Sequence, residues 1–169
     1  MTFTREEFTD AMARVPGPVA VVTTADAAGR RWGFTASSFS SLSLAPPLVL
    51  VCLAKSASTH AAFAHCGHFL VNVLGEEQAA VARRFATSGI DRFAAGDTVP
   101  MELGLPGLPQ AVARVACAMH RIVDAGDHSI LIGRVEAVHR GEDAPLVHCD
   151  RAFQRPVAVD AAAVRAAVP

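Results

Sequence analysis

A mainly β fold with peripheral helices is the class this sequence predicts, and three observations carry that expectation. First, apolar and β-branched runs of strand length recur at Val19–Thr24, Leu48–Leu53, Phe69–Leu74, Val112–Arg121 and Ser129–Val138. Second, Asp26-Ala-Ala-Gly29 and Asp124-Ala-Gly-Asp127 are turn sequences placed to join neighbouring strands as hairpins. Third, strands and helices do not alternate regularly, and no Gly-x-Gly-x-x-Gly follows a strand, which argues against a doubly wound dinucleotide-binding sheet. A β-barrel in one domain, residues 1–169 with a core at about 10–156, is the simplest architecture.

The elements follow in order. Thr4 and Glu7 form a capping-box pair that predicts a helix over 5–14, with Phe8 and Met12 on one face, ended by Pro16-Gly17-Pro18. Val19–Thr24 reads as a buried strand, and Arg31–Phe34 as its hairpin partner. Thr35 to Ser43 holds five serines and a threonine in a loop or edge conformation, then Pro46-Pro47 leads into the apolar strand Leu48–Leu53. Ser56 or Ser58 is placed to cap a short helix reaching about His65. A helix from Glu76 to about Phe85 follows the strand Phe69–Leu74. Residues 86–111 are broken by four glycines and three prolines and predict a long functional loop. Residues 144–148 read as a short strand, and the Ala/Val-rich tail after Pro156 as a loose helix.

Composition narrows the function. Half of the residues are hydrophobic, so a true core is expected rather than disorder. A net charge of −1 with no basic stripe argues against nucleic-acid binding. The apolar run Ala45–Ala54 is far shorter than the ~20 residues of a membrane span. The N-terminal Met-Thr-Phe-Thr-Arg-Glu-Glu-Phe lacks a secretion signal's apolar segment, so a cytoplasmic protein is expected. Cys52, Cys66, Cys117 and Cys149 form no Cys-x-x-Cys pair and read as reduced structural thiols, Cys52 with a place in a pocket wall.

Four segments can carry chemistry. The Thr35–Ser43 ledge offers hydroxyls and amides to a ligand rich in carbonyl and ring-nitrogen acceptors, or is simply a polar loop before a strand. Lys55-Ser-Ala-Ser-Thr-His60 reads either as an anion cradle, with the chain's single lysine as a point charge, or as an ordinary helix start. Phe69-Leu-Val-Asn-Val-Leu74 is followed by Gln78, Arg84-Phe-Ala86 and Asp91-Arg-Phe93. Gly126-Asp-His-Ser-Ile-Leu-Ile-Gly-Arg-Val135 opens the last long strand. His60, His65 and His68 do not share a helix face, so no metal site is expected. Asp127 and His128 are neighbours on extended chain and are expected to point apart, which argues against a relay.

In this order and spacing, the four segments resemble the flavin reductase-like family of FMN-binding split barrels, and the likeness covers about nine-tenths of the chain. The resemblance implies NAD(P)H-dependent reduction of FMN or FAD, as in the reductase components of two-component flavin monooxygenases. It also implies a homodimer and a partner oxygenase. Other chemistry on the same barrel remains open: reduction of another small substrate such as a cobalt corrin, or flavin or heme binding without turnover. Carried over by position, the flavin ring and ribityl chain would meet Thr35, Ala36, Ser37, Ser38, Ser41, Cys52, Leu53 and Ala54. The phosphate would meet Lys55, Ser58, Thr59 and Arg84, with Phe85, Ala86, Phe93 and Phe153 completing the pocket and His128 positioning the nicotinamide. One departure stands out: many relatives carry a Tyr where this chain has Phe153, and the chain has no tyrosine.

Overall fold

The structure, a computed structural model, describes residues 2–159. In chain order the elements are α1 (Arg5–Ala13), β1 (Gly17–Pro18), β2 (Ala20–Ala25), β3 (Arg31–Ala36), β4 (Ser40–Leu44) and β5 (Pro47–Ala54). Then come α2 (His60–Ala64), β6 (His68–Val73), α3 (Ala79–Ala86), β7 (Val99–Pro100), β8 (Pro106–Gly107), β9 (Ala113–Ala125), β10 (His128–Arg140), β11 (Val147–Cys149) and β12 (Ala152–Gln154). Seven strands form one antiparallel sheet in the order β3-β2-β6-β9-β10-β5-β4. No ladder joins the two edges, β3 and β4, so the barrel is split rather than closed. The sheet curls instead around one apolar cluster, in which Phe34 of β3 meets Val49, Val51 and Leu53 of β5.

Alternation explains that cluster. Val22, Phe69, Val71 and Leu131 point inward beside Phe63 of α2, whose ring stands edge-on to Phe34 at 4.9 Å. The other face of β2 presents Val19 and Val21 to a second cluster, with Phe85 of α3, Phe93 and Leu108. Burying a large apolar side chain stabilises the fold by about 1.5–3 kcal/mol, so a strand serving two cores carries apolar side chains on both faces, as β2 does at Val21 and Val22, while its buried Thr23 and Thr24 hydroxyls donate to main-chain carbonyls. The fully buried strand expected at Leu48–Leu53 is corrected. In β5 Val49, Val51 and Leu53 are buried, whereas Leu48, Leu50, Cys52 and Ala54 are only half-buried, because the outer sheet face here lacks a covering helix.

Close approach of β10 to β6 and β9 depends on Gly133. A Cβ there would stand 2.5 Å from the Phe69 ring and 2.6 Å from the Cys117 Cβ, both buried. Gly133→Ala is therefore expected to cost about 1–3 kcal/mol by overpacking. A melting temperature unchanged from the parent protein would contradict this packing.

Local signals account for most element ends. The Thr4–Glu7 capping box of α1 forms as expected. However, Phe8 and Met12 stay about half exposed, because no other element covers that face. The start of α2 differs from expectation: Thr59, not Ser56 or Ser58, holds the cap position, and it makes no side-chain cap bond. The sequence does not predict the short strands β1, β7, β8 and β12, and of the loop and edge conformations open to the serine-rich ledge the structure takes the edge strand β4. The short strand expected over 144–148 is found at Val147–Cys149. The helix expected in the tail after Pro156 falls largely outside the described residues.

The long 86–111 segment is pinned, not loose. Buried Asn72 donates to Val21 O (3.0 Å) and accepts from the Leu108 amide (2.9 Å), and Thr23 Oγ1 donates to Pro106 O. Arg114 binds both carboxylate oxygens of Glu102 and reaches the carbonyls of Leu108 and Pro109. The guanidinium holds the Glu102 carboxyl below its usual range. These ties fix the loop's far end, and its near end, residues 88–93, forms a wall of the site.

Candidate active site

A cavity of about 350 Å³, open to solvent on one side, lies where the ends of β3, β5 and α3 converge. This is within the range of small-molecule sites. Its walls bring together Thr35, Ala36, Ser37, Ser38, Cys52, Leu53, Ala54, Thr59, Phe85, Ala86 and His128. The ledge forms because the β2–β3 ladder ends at Ala36, leaving Ser37 and Ser38 in a bend. Gly17 makes room for that bend, since a Cβ there would lie 2.5 Å from the Ser37 carbonyl oxygen.

Two ledge hydroxyls face inward to the scaffold. Thr35 Oγ1 donates to Ala82 O of α3 (2.7 Å), and Ser38 Oγ accepts from the Cys52 amide (2.9 Å). They hold the ledge between α3 and β5, which leaves its main chain and the exposed Ser37 to the cavity. Thr59 differs: its hydroxyl is buried yet has no hydrogen-bond partner in the protein. An orphaned buried hydroxyl costs about 1–3 kcal/mol, and Thr59 is one of the residues that line the cavity.

Other expected residues lie elsewhere. Ser41 is exposed on the edge strand β4, opposite Val49. Arg84 pairs with Asp97 and donates to Arg92 O (2.9 Å), so its charge is already taken. Phe153 packs edge-on to His148 and under the Arg83 guanidinium, away from the cavity. Phe93 supports the wall from behind, edge-on to Phe85 at 5.1 Å, and Ser58 lines an adjoining cavity.

Lys55 also departs from the expected position. Its ammonium binds Asp124 Oδ2 and Gly126 O, both at 2.7 Å, while its amide donates to Asp127 O (2.9 Å). The lone lysine thus clamps the β9–β10 turn onto the end of β5. That clamp places His128 opposite Ala54 at the cavity rim.

At the turn, His128 Nδ1 and Asp127 Oδ1 are 2.7 Å apart. The expectation that these neighbours point apart is therefore corrected, since the tight turn lets adjacent side chains meet. The contact holds the Asp127 carboxyl below its usual range. A carboxylate at Nδ1 puts a proton on that nitrogen and leaves Nε2 for a ligand.

The main residue that sequence reading missed is Arg92. It lines the cavity, donates to Gly33 O (2.8 Å) and Thr87 O (2.9 Å), and keeps further N–H groups of its five. Its signal lies in the Asp91-Arg-Phe93 segment, where spacing alone does not show that Phe93 packs into the core and Arg92 faces the cavity. Phe34, Ala57 and Ser88 complete the lining. Among the described residues no His, Cys, Asp or Glu cluster could hold a metal, and all four cysteines are free. Burial pushes the Cys117 thiol up to about 12, so it is unreactive there.

Residues 12–156 match the flavin reductase like domain. The chain belongs to the flavin reductase-like family. It is 50% identical over 145 residues to the actinorhodin polyketide dimerase of Streptomyces coelicolor, covering 85% of this chain and 82% of the relative. It is 46% identical over 154 residues to the NADH:riboflavin 5'-phosphate oxidoreductase of Streptomyces pristinaespiralis, covering 89% and 88% of the two chains. Among solved structures it is similar to the NADH:FAD oxidoreductase SgcE6 of Streptomyces globisporus in complex with NAD and FAD fragments. That match has a TM-score of 0.85 and 36% identity, over 93% of this chain and 94% of SgcE6. Other relatives are named as reductase components or subunits of monooxygenases. For a flavin reductase-like domain the residues present suit a flavin: a main-chain ledge, apolar walls, an unsatisfied hydroxyl and a guanidinium.

Proposed function

We propose that this flavin reductase-like chain is an NADH:flavin oxidoreductase whose reduced flavin serves a partner oxygenase. The observation that carries the reading is the convergence of the ledge, the orphaned Thr59 hydroxyl, Arg92 and His128 on one cavity. A flavin and a reduced nicotinamide held there would supply the hydride-transfer chemistry. The ledge main chain from Ala36 to Ser38 offers fixed dipoles to the ring's polar edge, where negative charge gathers. Phe34 and Phe85 exclude water from one side. Thr59 and Arg92 hold the phosphate. His128, steadied by Asp127 and the Lys55 clamp, orients the nicotinamide for face-to-face approach. No side chain has to act as nucleophile or base, in keeping with the cavity's composition.

The cavity's open side suits a flavin that is exchanged as a substrate, as delivery to an oxygenase requires. A homodimer fits the exposed apolar residues of α1 and β4, Phe8, Met12, Leu42 and Leu44. The 86–111 loop contributes only Ile90, Val99 and Leu103 to such a surface. Four free cysteines suit a reducing, cytoplasmic setting. Among the described residues no helix is long and apolar enough to cross a membrane.

The test is steady-state NADH oxidation with added flavin. His128→Ala is expected to lower kcat/KM for NADH about tenfold while flavin affinity stays within about twofold, since only the second ligand loses a contact. Lys55→Ala should follow His128→Ala rather than a phosphate-site variant. Parallel loss of flavin binding would place His128 on the flavin side, and a wild-type chain that oxidises no NADH with any flavin would end the reading.

A further inference from the structure

Thr59 and His128 line one cavity from different elements, Thr59 from the start of α2 and His128 from the start of β10. A contact behind the wall links the two. His60 Nε2 and Ser129 Oγ lie 2.9 Å apart. Each is the chain neighbour of a cavity residue, His60 of Thr59 and Ser129 of His128, yet neither lines a cavity itself. Ser129 is 5% exposed and His60 half-buried, so water competes little for the bond. Ser129 stands opposite Leu53 of β5 and Asp124 of β9, and the sheet therefore holds it from both sides.

α2 needs such a tie. It has five residues, and its cap residue Thr59 makes no side-chain cap bond. A helix this short has little stability of its own. Phe63 plugs it into the apolar core against Phe34, and His60, three residues earlier, lies on the same helix face. The plug fixes one point of the helix; a second contact one turn away fixes its angle. Among the described residues, His60–Ser129 is the only side-chain hydrogen bond from α2 to the sheet. The Lys55 amide, bound to Asp127 O, ties the other end of the same segment to β10's turn.

We propose that His60, through Ser129, is a positioning residue for hydride transfer, setting the separation of Thr59 on the flavin side from His128 on the nicotinamide side. This inference rests on the flavin reading of the cavity. Each ligand alone meets mainly one rim, so its affinity does not depend on how the rims are spaced. Transfer depends on both, because a misplacement of about 1 Å between reacting groups can cost about 100-fold in rate.

The full-length chain loaded with FMN is mixed with saturating NADH in an anaerobic stopped flow, and flavin bleaching gives the transfer rate. His60→Ala and Ser129→Ala are each expected to slow it about tenfold, while the FMN Kd and the NADH concentration for half-maximal rate stay within about threefold. The double variant should be no slower than either single, since both remove the same bond. His60→Gln, which offers a donor and an acceptor at about the reach of imidazole Nε2, should recover most of the rate. Transfer within about twofold of wild type in both alanine variants overturns the proposal. So do losses that multiply in the double variant, a His60→Gln protein as slow as His60→Ala, or slowing that only tracks weaker FMN binding. Should His60→Ala not fold, Ser129→Ala, which deletes a single oxygen, decides. If wild type leaves the flavin oxidised after mixing, the flavin reading fails; if wild type bleaches it and the variants keep pace, only the positioning role fails.

Discussion

Arg92→Ala is expected to weaken FMN by about 10- to 100-fold while leaving riboflavin within about threefold. A hydrogen bond to a charged group contributes about 1.5–3 kcal/mol, and each 1.4 kcal/mol is a factor of ten in affinity. Arg92 is partly buried, which pulls its guanidinium pKa down, yet a group of this kind stays cationic at neutral pH. Two of its N–H groups hold Gly33 O and Thr87 O, so the fork is fixed in place before any ligand arrives. A preset fork loses little freedom on meeting a phosphate. Arg92→Lys keeps the charge without the fork and should recover only part of the loss. Isothermal titration with the two flavins settles it: equal weakening of FMN and riboflavin would mean that Arg92 shapes the wall and does not bind phosphate.

Asn72→Ala is expected to destabilise the protein by about 3 kcal/mol or more, the largest effect on stability anticipated for a single polar side chain here. The substitution strands the Leu108 amide in a buried setting, where an unsatisfied group costs about 1–3 kcal/mol, removes a second donor from the Val21 carbonyl and leaves a cavity between β2, β6 and the loop. It also removes a contact to Thr23 Oγ1 (3.4 Å). Because Asn72 joins β6 and β2 to the far end of the 86–111 segment, the damage should spread to that loop. In a chain of this size the melting temperature should fall by about 6–12 °C, and limited proteolysis should cut the loop sooner. A variant melting within about two degrees of the parent protein would show that Asn72 is not an anchor.

Asn72 and Arg92 illustrate how differently the two kinds of information are written. Phe-Leu-Val-Asn-Val-Leu could be read as a strand from its pattern, but the partners of Asn72 lie 51 and 36 residues away. Alternation is local, so the sequence could show β2, β6, β9 and β10, the α1 capping box and the turn before His128. It could not choose the edge strand β4 over a loop, nor show β12, because a serine-rich edge and a three-residue strand form through pairing, not propensity.

The site divides along the same line. By itself the sequence determined a mainly β protein, the ledge before β5, and Thr59 and His128 as candidates that the fold brings to one cavity. Those features depend on residue type and short spacing, which the chain carries in one dimension. Only the tertiary structure decided which cation lines the cavity. A charge is drawn to whichever partner the fold brings near: Lys55 meets the β9–β10 turn, Arg84 meets Asp97, and Arg92 remains at the cavity. Those distances are set by the curl of a sheet whose neighbouring strands lie far apart in sequence, and local pattern carries no record of them.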